Sequence, residues 1–285
     1  MKIEPLAYDS MGVRSMATYV ATDQKILIDP GAALGPNRYS LPPHPVEVAK
    51  LNELSDTVKK YTGISDILII SHYHFDHYFP YDSGLYRGKV LLIKHPQQSI
   101  NYSQRSRSKN FLESIKNIPR RIEFADNREF KFNETEIKFS PAAHHGAGNS
   151  KLGFVVMASI SYKNEKLIHA SDIQGPEVLE TTDWIIKENP DILILSGYPT
   201  LFIGWRFAKQ RLLESNKNLI KIMKETKVGT VILDHHLVRD LQYKNKIQDV
   251  LKQAKHLKKK VLTAAEFSGQ ENEFLEARRK ELYGE

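Results

Sequence analysis

The sequence predicts a mixed α/β fold, expected as one domain over residues 1–285. Three observations predict it. Nine short apolar runs have the length and composition of strands. Stretches with apolar residues three and four apart, the spacing of one helix face, fall among them. The two kinds alternate along the chain, the order in which helices pack against sheets.

The first strand-like run is KILID at 25–29. Leu51, Leu54, Val58 and Tyr61 follow at helical spacing, with Gly63 placed to stop that helix. DILII at 66–70, KVLLI at 89–93 and EIKFS at 136–140 read as strands, as do GFVVMASISY at 153–162 and KLIHA at 166–170. After the strand DILIL at 191–195, a helix is expected over 205–226. There Ala208, Leu212, Ser215, Leu219 and Ile222 keep the rhythm with one polar break. TVILD at 230–234 precedes a further helix marked by Ile247, Val250, Ala254 and Leu257, and VLTA at 261–264 is the last strand. SGQE is expected to open a final helix through a capping box of Ser268 with Glu271. There is no internal repeat and no low-complexity linker.

Composition narrows the function classes. The chain has no cysteine, which excludes disulfides, thiolate metal sites and cysteine nucleophiles. Apolar content of 41% and charged content of 26% are those of a soluble globular protein. No apolar run is long enough for a membrane span and the N-terminus lacks an apolar signal core, so a cytoplasmic protein with no membrane partner is expected. The net charge of +7 favours anionic partners, a small-molecule anion or a nucleic acid, although a lysine-rich solvated surface would give the same balance. Nothing in the sequence sets the oligomeric state.

The chemistry concentrates in SHYHFDH, residues 71–77, directly after the run DILII. In extended chain His72 and His74 point the same way, and a turn of the backbone then brings Asp76 and His77 to the same cavity. Histidine nitrogen and carboxylate oxygen without sulfur suit zinc, manganese or iron. Two imidazoles on one side and a carboxylate–imidazole pair on the other suit two neighbouring metals. Of 11 histidines, seven fall in three groups: His72, His74 and His77; His144 and His145; His235 and His236. Each group closes a strand-like run, and Asp172 in LIHASDIQG closes another. Strand ends of open mixed sheets are where ligand sites form, so these four can converge on one cavity.

The order H-x-H-x-D-H, later His, later Asp, final His resembles the metallo-β-lactamase superfamily, over most of the chain from about residue 13 to 240. ILIDPG is similar to that family's early strand and turn, with Asp29 bracing the metal loop. GVRSMATYV, DPGAALGPNRYSLPPHP and LDHHLVRD resemble a little-characterised, mostly archaeal branch of predicted metallohydrolases within it. The resemblance implies a four-layer αββα sandwich, two mixed sheets face to face with helices outside. It implies two divalent metal ions, zinc before manganese or iron. His72 and His74 would hold the first with a histidine of the AAHHG turn. His145 is the better match there, because it begins HGAG, similar to the family's H-T-P-G turn, whereas His144 begins HHGA. Asp76 and His77 would hold the second with the final histidine, His235 in preference to His236. Asp172 would bridge both. The resemblance also separates relatives. The redox branch carries glutamate where this chain has His74, and RNA-processing relatives with a large inserted domain need more residues between Asp172 and His235.

The expected activity is metal-dependent hydrolysis. Two divalent ions about 3.5–4 Å apart share a water and lower its pKa towards 7. Asp76 would hold the resulting hydroxide and accept its proton. Tyr198, in LSGYPT, would donate to the developing charge or serve only as a packed rim residue. Arg239 would meet an anionic substrate or pair with a nearby acid. Residues 97–121 carry Arg105, Arg107, Lys109, Lys116, Arg120 and Arg121 against Glu113 alone, with Tyr102 and Phe111 interleaved. Such a segment can grip phosphate or fold over the site as a lid, or remain a solvated surface. A phosphoester or phosphodiester, nucleic acid included, is the first substrate class. A lactone, thioester or amide is the alternative, and a non-catalytic metal-binding protein of the same fold the third.

Overall fold

The computed structural model describes residues 1–205 and 207–285. The chain opens with β1 (Lys2–Tyr8), β2 (Met16–Ala21) and β3 (Lys25–Ile28), which pair antiparallel. β4 (Ile67–Ile70), β5 (Val90–Ile93) and β6 (Arg121–Phe124) add parallel to β3 and complete a six-stranded sheet in sequential order. β7 (Glu129–Phe132) and β8 (Thr135–Phe139) follow, then a two-residue ribbon of β9 (Ala143–His144) with β10 (Phe154–Val155). β11 (Ala158–Tyr162), β12 (Glu165–His169), β13 (Ile192–Ser196), β14 (Thr230–Asp234) and β15 (Lys260–Leu262) join β7 and β8 in a second sheet. Its order is β15-β14-β13-β12-β11-β8-β7, parallel from β12 to β15.

Helices fill the crossovers. α1 (Pro45–Ile64) joins β3 to β4, and α2 (Tyr102–Ser114) joins β5 to β6. α3 (Leu179–Glu188) and α4 (Lys209–Glu225) flank β13, and the short α5 (Tyr243–Lys246) leads into α6 (Gln248–His256) ahead of β15. α7 (Ala264–Phe267) and α8 (Arg279–Leu282) end the chain.

Three apolar clusters define the layers. Ile26, Ile28, Ile67, Ile69 and Leu92 of the first sheet pack against Ile160, Leu167, Ile194 and Ile232 of the second. The alternate residues Leu27, Leu68 and Ile70 face the other way, onto Val58 of α1 and Phe111 of α2. Leu193, Leu195 and Val231 face Ile185 of α3, Leu219 and Ile222 of α4 and Val250 of α6. The result is the αββα sandwich of the metallo-β-lactamase fold. Strands covered on both faces read as unbroken apolar runs, and each such Ile or Leu contributes about 1.5–3 kcal/mol by leaving water.

Four local expectations are corrected. GFVVMASISY is two strands, because Val156 turns its N–H to the Ser71 carbonyl across the sheets instead of continuing a ladder. Gly63 does not stop α1, which runs to Ile64 and is closed by the Ser65 N–H on the Tyr61 and Thr62 carbonyls. The capping box near the C-terminus is Thr263 with Glu266. Ser268 ends that short helix and Gly269, at φ 70°, turns the chain away. The helix expected over 205–226 begins at Lys209, and Arg206 within that span lies outside the described residues. No helix among the described residues is long and apolar enough to cross a membrane.

Candidate metal centre

All parallel strands of both sheets end on one edge of the sandwich, and the polar loops there face one another. Asp29, just past β3 and fully buried, ties them together. Its Oδ1 accepts the Ser71 N–H at 2.8 Å, and its Oδ2 accepts the Ser71 hydroxyl at 2.8 Å and the Ser171 hydroxyl at 3.0 Å. Ser71 precedes the first histidine and Ser171 precedes Asp172, so one carboxylate registers the ends of β4 and β12. His77 Nδ1 also donates to Asp29 Oδ2, at 2.9 Å. Gly31 permits the approach: a Cβ there would stand 2.1 Å from the Tyr78 nitrogen.

Three groups of side chains have potential metal-ligating atoms within 4.8 Å of one another: His72, His74, His145 and Asp172; Asp76, His77 and His235; Asp172, His235 and His236. In the first, His72 Nε2 lies 3.0 Å and His145 Nε2 3.1 Å from His74 Nδ1, and His145 Nε2 lies 2.8 Å from Asp172 Oδ2. Burial and the neighbouring imidazoles depress His72, and depress His74 to about 3, so both present lone pairs. In the second, His77 Nε2 is 4.0 Å from Asp76 Oδ1 and His235 Nε2 is 3.6 Å from Asp76 Oδ2. His77 Nε2 is buried with no hydrogen-bond partner. Converging imidazole lone pairs, an orphaned nitrogen and two ionised carboxylates without sulfur are the donor set a divalent cation satisfies, and these residues fit one. Asp172 sits between the groups. Its Oδ1 accepts the Ser196 hydroxyl at 2.7 Å, and its Oδ2 lies 3.5 Å from His235 Nε2.

The histidine doublets divide differently. His144 belongs to the β9–β10 ribbon, its ring 4.7 Å from that of Phe154 and tilted 39° to it, and joins none of the three groups. His145 points inward. Both His235 and His236 reach the site, His236 Nε2 standing 3.1 Å from Asp172 Oδ2.

The remaining candidates lie outside these groups. Tyr198 is buried, its hydroxyl without a partner, and its ring packs on Phe207. Burial, with the Glu177 carboxylate nearby, pushes it up to about 12. Arg239 is not offered to solvent: it is 5% exposed, and its Nε donates to Asp9 Oδ1 at 2.6 Å. Residues 97–121 carry α2, which packs on the first sheet. α2 is anchored in the outer layer through Phe111, and Ile115 just beyond it is buried beside it. Its basic residues separate. Arg105 is exposed on the outer face, whereas Arg107 lies 4.5 Å over the Phe75 ring and donates to the Tyr73 carbonyl at 3.4 Å. α2 also holds both histidine loops, since the buried Gln104 accepts the Tyr73 N–H at 3.2 Å and donates to the Leu152 carbonyl at 2.7 Å.

Sequence reasoning missed Asp9, Ser196 and Gln104. Asp9 stands in a turn of 3-10 helix after β1, and its Oδ2 takes the His235 Nδ1 hydrogen at 2.6 Å. Its pairing partners lie at the far end of the chain, so no local pattern marks it.

No family model matches the chain. It is 45% identical to the UPF0282 protein MJ1629 of Methanocaldococcus jannaschii, over 99% of this chain and 96% of that one. Among solved structures it resembles Tm1679, a metal-dependent hydrolase of the beta-lactamase superfamily, with TM-score 0.52 and 15% identity over 92% of this chain and 94% of that one. It also resembles unliganded yeast PDE1, with TM-score 0.52 and 12% identity over 92% and 97%. At such identities the two structures establish the fold.

Proposed function

The chain belongs to the UPF0282 family, and on that premise we propose that it is a metal-dependent hydrolase holding two divalent ions, zinc first, and acting on a phosphoester or phosphodiester. One observation carries the reading: two groups of buried imidazoles and carboxylates converge on Asp172 from the ends of both sheets. His72, His74 and His145 would hold one ion, Asp76, His77 and His235 the other, with Asp172 shared. When bound, such ions supply Lewis acidity and a water of lowered pKa.

The chain's own groups do the rest. Burial would raise Asp76, but His77 and His235 beside it outweigh that and keep it ionised, below the ordinary carboxylate range. Its side chain is 18% exposed where Asp172 is 2%, so Asp76 is the carboxylate open to an incoming water and takes its proton. Asp29 and Asp9 orient His77 and His235 through their Nδ1 hydrogens. The anionic substrate class is supported by the net charge of +7 and by Arg107, which stands over the Phe75 ring beside the first histidine loop.

Elemental analysis of untagged protein, reloaded with zinc, manganese or iron, tests the metals, and a panel of generic phosphodiester, thioester and lactone substrates tests the chemistry. About two ions per chain and phosphodiester turnover abolished by chelator are expected. Protein that stays metal-free after reloading would overturn the site, and faster lactone or thioester cleavage the substrate class.

A further inference from the structure

The turn that carries the candidate ligands also carries an exposed ring. The His77 N–H donates to the His74 carbonyl at 3.0 Å, which puts Phe75 and Asp76 at the corner of a tight turn. Phe75 is 41% exposed there. Tyr81, whose ring lies 6.4 Å from that of Phe75 and is tilted 43° to it, is 91% exposed. Consecutive Cα atoms are about 3.8 Å apart, so Phe75 stands one residue's step from a candidate ligand on either side. A single exposed ring needs no explanation, but neighbouring exposed rings at the rim of a polar site mark a contact surface. Tyr78, its ring 6.1 Å from that of Phe75, is fully buried and backs Phe75 from the interior. Arg107 adds charge to the rings. Its guanidinium lies 4.5 Å over the Phe75 ring and donates to the Tyr73 carbonyl at 3.4 Å, so α2 holds a cation at the same rim.

We propose that Phe75 and Tyr81, with Arg107 beside them, form a stacking platform for a base of a single-stranded nucleic acid whose neighbouring phosphodiester lies at the candidate metal centre. The proposal rests on the hydrolase reading above and names its substrate class. Every base offers a π-face to an aromatic side chain, and an arginine on the same platform attracts both the ring and the phosphate. A ligand that brings a flat ring and an anion together within so short a span is a nucleotide. The net charge of +7 complements a strand of them. A simple phosphate ester has nothing to place on the rings.

The test measures binding of a short single-stranded oligonucleotide, its phosphorothioate links resistant to cleavage, to zinc-loaded protein. The comparison is a strand of the same length and linkage whose sugars carry no bases. Wild type is expected to bind the base-bearing strand more tightly. Tyr81→Ala and Phe75→Ala should each lose about 5–150-fold in affinity for that strand and little for the abasic one. A ring carries no charge, so the losses should be the same at every salt concentration. Tyr81 stands almost wholly in solvent, so Tyr81→Ala should keep the wild-type metal content. Phe75→Trp, which retains a ring, should keep the affinity that Phe75→Ala loses, which separates stacking from damage to the turn. Equal affinity of wild type for the two strands, or Tyr81→Ala and Phe75→Ala variants that bind the base-bearing strand as wild type does, would overturn the proposal. Turnover of a generic phosphodiester by the same protein keeps the two readings apart. Turnover without base preference overturns the platform alone, and base preference without turnover overturns the hydrolase reading while the base contact stands.

Discussion

Asp9 reaches His235 through Oδ2 and Arg239 through Oδ1, both at 2.6 Å, from the opposite end of the chain. Burial would raise its pKa, but the cations on both sides hold it well below the usual carboxylate range. Asp9→Asn removes the charge and leaves Arg239 buried without its counterion, a change of a kind that costs about 3–5 kcal/mol. Because His235 also loses its orienting acceptor, metal affinity should fall about 10–100-fold. Chelator competition measures the second effect and denaturant unfolding the first; unchanged affinity would show that Asp9 serves packing alone. The histidines also set a pH window in metal-free protein. Burial chiefly, and His145 next, depress His74 to about 3. A depressed histidine contributes stability that is present above about 6.5, its unfolded value, and lost as pH falls through the folded one. His235 behaves oppositely: Asp9 and Asp172 outweigh burial and raise it to about 10, so its contribution is lost as pH rises through that value. His235 starts to lose its contribution above about 6.5, where His74 has reached its full one, so metal-free protein should melt highest near pH 6.5, with Tm falling on both sides. A Tm that rises steadily down to pH 4 would contradict this.

α2 belongs to the site as well as to the outer layer. Gln104 grips the loop of His72 and His74 with one end of its amide and the loop after His145 with the other. Arg107, one turn on, leans on Phe75 between His74 and Asp76, whereas Arg105 and Lys109 face solvent. Arg107→Ser should thus weaken binding of a single-stranded oligonucleotide and lower the slope of its salt dependence by about 0.7, while Arg105→Ser with Lys109→Ser should change the slope less. Equal effects would return the whole segment to a diffuse basic surface. Among the strands legible in the sequence, five are buried on both sides, while the edge strand β15 was legible from VLTA alone. β3, β4, β5, β13 and β14 read as apolar runs because helices cover one face and the other sheet covers the second. β1, β6 and β7 did not, because each is a sheet edge, and KIEPLAY, RIEF and EFKF carry the charges and the proline that edges tolerate. The candidate ligands were legible for a similar reason, since strand-end histidines stand out against apolar runs. Asp9 and Gln104 were not, because what they do depends on loops that only the fold brings to them.

At the scale of the molecule, the candidate ligands do not come from one sheet. His72, His74, Asp76 and His77 follow β4 of the first, while His145, Asp172 and His235 follow strands of the second or lie beside it. Ions held by both sets would clamp the sheets together at one edge of the sandwich. The clamp is not what makes the chain fold: the apolar layer between the sheets is continuous without it, from Val20 and Ile26 through Ile160 to Ile232. Metal removal should accordingly lower stability without unfolding the protein. A ligand present at a thousandfold its Kd stabilises the folded state by about 4 kcal/mol. For a chain of 285 residues, with an unfolding entropy of about 0.6 kcal/mol/K, that corresponds to a Tm shift of about 7 °C. Calorimetry before and after chelation, with far-UV circular dichroism at 25 °C, separates the outcomes. The expected result is an unchanged spectrum, a Tm lowered by that amount, and full recovery on adding metal back. Loss of the spectrum on chelation would mean that the apolar layer does not suffice and the ions are structural. An unchanged Tm would mean that no ion bridges the sheets, and the ligand groups would then have to be read as a buried hydrogen-bond network.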